Sequence, residues 1–374
     1  MTTVNLDKIK FGLDTFGDVT VDENGNRLSD AQVIRNVVEE AKLADQLGIY
    51  SINVGEHHRP DFAISAPDTV LAGMATVTKN IILGTGVTVL SSDDPVRVYQ
   101  RFATLQALSN GRAEITAGRG SFTESFPLFG YNLSDYAALF EEKLELLVQL
   151  LESQPVTWSG TTRASLSNQD VWPKTEQDIK LRVGVGGSPE SVVRAARLGV
   201  PMALAIIGGD PARFAPFANL YRDALDQLHK PQLPISIHSP GHIAETDEQA
   251  IEDQWPHYQE MYGRLGRERG WGPTTKGHYL QEVEHGSLYV GRVDAHAGVT
   301  RACIFVPKPG VYALALYHDE NANRSFDRTT VGFPAEGFGF SNNPATLAGL
   351  PAFKSVRIAV PKTGLTTRVS MKYP

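Results

Sequence analysis

Glu56-His57-His58 and Gly118-Arg119-Gly120-Ser121-Phe122 put an imidazole pair and a guanidinium about sixty residues apart, each where a short apolar run gives way to a loop. The runs are Ser51 to Val54 and Ala113 to Ala117. An imidazole exchanges protons near neutral pH, and the adjacent Glu56 can fix a ring tautomer. His57 can thus act as a general base or hydrogen-bonding group, as a metal ligand, or as a packing residue. A zinc-type site needs three or four ligands, and no neighbouring Cys or His supplies them, so no metal is expected. Arg119 between two glycines suits close approach of backbone to a ligand, with its guanidinium aimed at an anion or polar ring; it also suits a solvated surface turn. Further along, Gly186-Gly187-Ser188-Pro189-Glu190-Ser191 leaves an apolar run and enters a helix, with Ser188 as N-cap and Pro189 at the first helical position. Its amides and the Ser188 and Ser191 hydroxyls would make a phosphate site, although a plain helix start has the same residues. Gly86-Val87 lies inside a strand-like run, where glycine marks the close approach of something bulky.

Strands alternating with amphipathic helices must position these groups. Lys10 to Thr15, Tyr50 to Val54, Ile81 to Leu90, Ala113 to Ala117, Leu181 to Val185, Met202 to Ile207 and Leu233 to His238 read as seven strands. Between them the spacing predicts helices, for example one capped by Ser29 or Asp30 with Val33, Ile34, Val37, Val38, Ala41, Ala44 and Leu47 on one face. Others are predicted around Pro67 to Thr78, Asp94 to Leu108, Asp135 to Leu151 and from Thr246 or Asp247 through Met261. A segment from Gln154 to Lys174 is expected to fold over the barrel mouth. This order is that of a parallel α/β sheet, and in a closed barrel the loops after the strands share one face, where His57 and Arg119 would meet. The fold class expected is α/β, TIM-barrel-like on the (β/α)8 plan, without a recognisable eighth βα unit.

The chain has 374 residues, 41% apolar and 21% charged, with a net charge of −7. The scattered Lys and Arg give no footprint for nucleic acid or a membrane surface. No apolar run approaches the roughly 18 residues of a membrane helix. The N-terminus lacks a signal-peptide pattern, and the one cysteine, Cys303, cannot form an internal disulfide, so a cytoplasmic protein is expected.

From about Lys8 to Gly291 the chain resembles the bacterial luciferase-like, flavin-dependent monooxygenases. The resemblance lies in Gly55-Glu-His-His-Arg-Pro-Asp-Phe, Val87-Thr-Val-Leu-Ser-Ser-Asp-Asp-Pro, Ser109-Asn-Gly-Arg-Ala-Glu, Ala117-Gly-Arg-Gly-Ser-Phe, Val185-Gly-Gly-Ser-Pro-Glu-Ser and His238-Ser-Pro-Gly-His. It implies His57 as the catalytic histidine and Arg119, Ser188 and Ser191 as the holders of a flavin phosphate. It places Gly86 and Val87 at a non-proline cis peptide against which the flavin ring rests. Gly187 belongs to the same cofactor loop, but the family has a glutamate there, so that side-chain contact is lost. The implied chemistry uses reduced FMN, supplied by a separate flavin reductase, and O2 to oxidise a small organic substrate. A homodimer stays open as the assembly. A deazaflavin-dependent oxidoreductase of the same superfamily is the alternative enzyme.

Beyond about residue 293 the helical periodicity stops. Ala302 to Val306, Val311 to His318 and Val356 to Met371 read as β-rich, with turn signals at Pro307-Lys-Pro-Gly and Pro361-Lys-Thr-Gly. This tail resembles part of a small bacterial β-domain family of unknown function. Asp319, Asn321, Asn323, Ser325 and Asp327 alternate as in calcium loops, but Arg324 and Thr330 stand where a glycine and a glutamate belong, so calcium is not expected. The domains expected are 1–293, a flavin-binding barrel, and 294–374, a β-rich segment. Either the tail supplies a substitute for the missing barrel strand, with Val311 to Tyr317 its most apolar candidate, or the chain is a fusion whose barrel is compromised. A non-catalytic fusion with a β-rich binding tail is the third reading.

Overall fold

The computed structural model describes residues 9–120, 122–207, 214–269, 275–276, 279, 310–318, 335–344, 353–361, 365 and 367–373. Ser121, the junction near residue 293, the run 302–306 with Cys303, and the calcium-like alternation from 319 to 330 lie outside the described residues. By its contacts the chain divides into Met1–His257 and Tyr258–Pro374.

In the first unit, seven parallel strands build the sheet: β1 Gly12–Thr15, β2 Ser51–Val54, β3 Ile82–Thr85, β5 Ala113–Gly118, β8 Lys180–Val185, β9 Met202–Ala205 and β10 Ile235–His238, side by side in that order. A short β4, Thr88–Val89, also pairs with β5. The single strand expected from Ile81 to Leu90 is therefore split at Gly86 and Val87. Antiparallel β6 (Val156–Trp158) and β7 (Leu166–Gln169) form a separate hairpin.

Helices follow from local sequence. In α1, Asp30–Gln46, the Ser29 hydroxyl accepts from the Gln32 amide at 3.2 Å, and Val33, Val37, Ala41 and Ala44 are buried at helical spacing. The others are α2 Pro67–Val77, α3 Pro95–Leu108, α4 Ser125–Phe129, α5 Tyr136–Glu152, α6 Pro189–Leu198, α7 Ala215–Gln227 and α8 Asp247–Arg269. Outward strand residues such as Ile52, Leu83, Ile115, Val183 and Leu204 join the buried helix faces in one apolar core. The inward layer is different. Asp14, Asn53, Gly84 and Glu114 stand level across four strands, so the barrel interior is polar.

The sheet's two edges, β1 and β10, are not paired to each other. Their C-terminal ends nonetheless meet, with His238 Nδ1 2.5 Å from an Asp14 carboxylate oxygen. Outward-facing Leu13 and Ile237 on these edges stay 46% and 63% exposed. This is a nearly closed, TIM-barrel-like sheet of seven strands.

The segment from Gln154 to Lys174 is fastened to α3 and α5. Thr161 and Thr162 bond Glu142 on α5, Arg163 pairs with Asp94 at the start of α3, and Gln100 on α3 donates to the Trp172 carbonyl. The segment links the end of α5 to the start of β8, so it runs along the outer flanks of α3 and α5.

In the second unit, β11 Gly310–Ala313 pairs antiparallel with β14 Arg357–Val360, and β12 Ala315–Tyr317 pairs antiparallel with β13 Phe338–Phe340. Ser341 ties the two small sheets, accepting from the Leu314 amide at 2.9 Å and donating to the Val356 carbonyl at 2.5 Å. Val311 to Tyr317 is thus divided between these antiparallel sheets and is not an eighth barrel strand. Antiparallel partners satisfy its backbone groups, which a parallel barrel position would have left to β1 and β10.

Candidate functional site

β2, β3, β5 and β8 are neighbours, so the loops after them gather at one stretch of the barrel rim. That stretch carries His57, Gly86-Val87, Arg119 and Gly187 to Ser191.

The Gly86–Val87 peptide is cis. Val87 points its side chain into a cradle formed by two glycines on adjacent strands. A Cβ on Gly118 would fall 2.5 Å from Val87 Cγ2, and one on Gly184 3.2 Å from Val87 Cγ1. Neither position leaves free room for a side chain while Val87 is there.

His57 is buried against three rings, with centroids 4.6 Å from Phe16, 4.4 Å from Phe62 and 5.2 Å from Phe122. Burial pushes its pKa down to about 4; the nearby Glu124 charge only partly opposes this. The imidazole is therefore neutral at pH 7, and its buried Nδ1 has no hydrogen-bond partner among the described residues. Glu56 does not fix its tautomer. The carboxylate instead spans His58 Nε2 at 3.1 Å and the Val89 amide at 2.9 Å, joining the histidine loop to β4. A cavity of about 330 Å³ opens beside Glu56 and His58, walled by Asp68, Asp93, Arg101 and Phe129, and neither Arg119 nor Ser188 lines it.

A pH dependence follows from His57. The unfolded chain takes up a proton as pH falls through the ordinary histidine value of 6.5, whereas the folded ring resists until about 4. Stability from this group is complete above that window and is lost within it, by roughly 3 kcal/mol. Urea unfolding between pH 7 and 4 should show this decline, and His57→Gln should flatten it.

Arg119 forms no ion pair among the described residues; its guanidinium lies 5.2 Å from the Tyr136 ring centroid, and the Tyr136 hydroxyl donates to the Gly120 carbonyl at 2.6 Å. On β8's loop, Ser188 caps α6, its hydroxyl 2.7 Å from that of Ser191. Gly187 has φ of 101° and faces Phe214 and Phe217, while a Cβ on Gly186 would meet nothing within 4 Å. An uncommitted guanidinium, two hydroxyls and a ten-residue helix's N-terminus on adjacent strands suit a phosphate dianion. The orphaned His57 Nδ1 and a likewise unpartnered buried Asn53 Oδ1 mark polar capacity beside the Gly86 platform. These residues fit a flavin mononucleotide.

Two groups were not singled out as site residues from sequence. Lys143 on α5 is 2% exposed, donates to the Ser91 carbonyl at 2.7 Å and is pushed down to about 8 by burial. It braces the loop that follows β4, and a lysine within a helical apolar pattern gave no local signal. Asp14 and His238 meet across the sheet edges; each stood at a strand's end in the sequence, but nothing local joined them.

Residues 15–310 match the family described as luciferase-like monooxygenase, and residues 275–368 match a domain of uncharacterised proteins conserved in bacteria. An uncharacterised protein of Sinorhizobium fredii is 34% identical over 139 residues, 37% of this chain and only 40% of its own length. The 4-hydroxyprotoasukamycin monooxygenase of Streptomyces nodosus is 28% identical over 274 residues, 69% of this chain and 73% of that protein. A crystal structure of a monooxygenase from Streptomyces bottropensis superimposes with TM-score 0.63 at 25% identity, covering 75% of this chain and 84% of that one. At the level of fold alone, similarity extends to the oxygenating constituent of a Pseudomonas putida diketocamphane monooxygenase in complex with FMN (TM-score 0.59, 17% identity, 73% and 78% covered). It extends equally to an F420-dependent secondary alcohol dehydrogenase (TM-score 0.55, 18% identity, 66% and 74% covered).

Proposed function

The chain belongs to the luciferase-like monooxygenase family, and from that premise we propose that its barrel binds reduced FMN and uses dioxygen to oxidise a small organic substrate. The observation that carries this is the uncommitted Arg119 guanidinium on the strand next to the Ser188–Ser191 helix start. Arg119, Ser188 and Ser191 hold the phosphate in this reading, and the rim around Gly86 and Val87 is the platform for the ring. Bound there, reduced FMN would supply the electrons that activate dioxygen. The neutral His57, enclosed by Phe16, Phe62 and Phe122, offers a hydrogen bond while its aromatic surroundings exclude water. We place this function in residues 1–293 of a cytoplasmic protein served by a separate flavin reductase, with 294–374 as a β-rich appendage.

The test is an anaerobic titration of the full chain with reduced FMN and, in parallel, with a reduced deazaflavin. Saturable binding of FMN in preference to the deazaflavin is expected. Preference for the deazaflavin would replace monooxygenation by hydride transfer. A folded protein that binds neither would return the barrel to a non-catalytic role.

A further inference from the structure

We propose that His238 is a catalytic proton-transfer residue of this site, held in position by Asp14; the proposal rests on the flavin reading above. Asp14 ends the first barrel strand and His238 the last, and the imidazole Nδ1 lies 2.5 Å from Asp14 Oδ2. The other carboxylate oxygen accepts from Asn53 Nδ2 at 2.6 Å, which fixes the carboxylate plane. A carboxylate can only accept, so any proton shared across this ion pair is carried by Nδ1. Nε2 is left as the exchanging atom, and it makes no hydrogen bond among the described residues. The His238 side chain is 18% and the Asp14 side chain 31% exposed, so the pair has access to solvent at the barrel rim. It also adjoins the ring platform: a Cβ on Gly86 would lie 3.7 Å from Asp14 Oδ1. Of the other charges within the barrel, Glu114 and Arg182 are paired to each other, and the Glu114 carboxylate also feels the His238 charge.

His57 does not serve this purpose. Its ring is enclosed, its Nδ1 has no orienting carboxylate, and burial keeps it neutral. The two histidines thus divide the work, one as a fixed hydrogen-bonding group and one as the proton carrier.

With anionic reduced FMN bound, dioxygen would take two electrons and one proton from the cofactor, and a second proton would be needed to complete hydrogen peroxide. The imidazolium of His238 would deliver that proton from Nε2 while Asp14 holds the ring in place, and solvent would return a proton to Nε2 afterwards.

Reduced FMN bound to the full chain is mixed with oxygenated buffer, and the return of oxidised-flavin absorbance is followed without substrate. His238→Ala is expected to slow reoxidation about a hundredfold with FMN affinity retained, and added imidazole should restore the rate. His238→Gln, which keeps most of the side-chain volume, should be slow and insensitive to imidazole. In the flavin-free protein, nitrogen NMR of the His238 ring should show the Nδ1–H tautomer, which becomes mixed in Asp14→Asn. An unchanged rate in both His238 variants, or a loss in His238→Ala that imidazole does not restore, overturns the proposal while FMN binding stands. Failure of the unaltered protein to bind FMN removes the flavin reading itself, a result distinct from either.

Discussion

Arg119→Ala combined with Ser188→Ala is expected to weaken FMN binding about a thousandfold while the protein stays folded. A phosphate dianion gathers charge-assisted hydrogen bonds, each worth about 1.5–3 kcal/mol, and losing two removes roughly 4 kcal/mol, or about three powers of ten. Folding should tolerate the change. Arg119 has no ion pair among the described residues to lose, and the Ser188 cap contributes about 1 kcal/mol to α6. Flavin fluorescence during titration checks the affinity and a thermal melt checks the fold. Ser191→Ala should cost less, because the Ser191 hydroxyl is already engaged with the Ser188 carbonyl at 2.8 Å. His57→Ala should leave FMN affinity near that of the unaltered protein. The opposite ranking, with His57 dominating affinity and the double variant unaffected, would sink the assignment of Arg119 and Ser188.

Gly118→Val should destabilise the barrel by about 3 kcal/mol and abolish flavin binding, and Val87→Ala in the same chain should recover a large part of both. Even the first carbon added at Gly118 would meet Val87 Cγ2 at 2.5 Å, with Val87 Cβ and Cγ1 both at 2.9 Å. Val87 cannot step aside, since Gly184 is its wall on the other strand. The added bulk therefore has to push β4 away from β5, and with it the Gly86 platform. Chemical denaturation of the two single variants and the double variant gives the coupling energy directly. Additive effects would mean that Val87 does not occupy the Gly118–Gly184 cradle in solution.

Much of this was legible from residue types alone. The seven strand positions follow from apolar runs punctuated by turns, and Ser29, Asp94 and Ser188 announce their helices by capping chemistry that acts over three residues. The resemblance placed a cis peptide at Gly86–Val87, and the structure has one. Other expectations went astray where they depended on partners. Glu56 looked like the neighbour that fixes His57, yet its carboxylate reaches His58 and Val89 instead. Val311 to Tyr317 had the apolar content of a barrel strand, but its pairing is with β13 and β14.

The sequence by itself determined the alternation of strands and helices, the family, and the loops from which chemistry would come, because spacing, capping and glycine requirements act over a few residues. The tertiary structure alone decided the protonation of His57, the cradle for Val87 and the meeting of Asp14 with His238. Those depend on desolvation and on charges brought close by strand order. Closing a sheet makes neighbours of its first and last strands, and no local pattern in the chain records which side chains will face each other there.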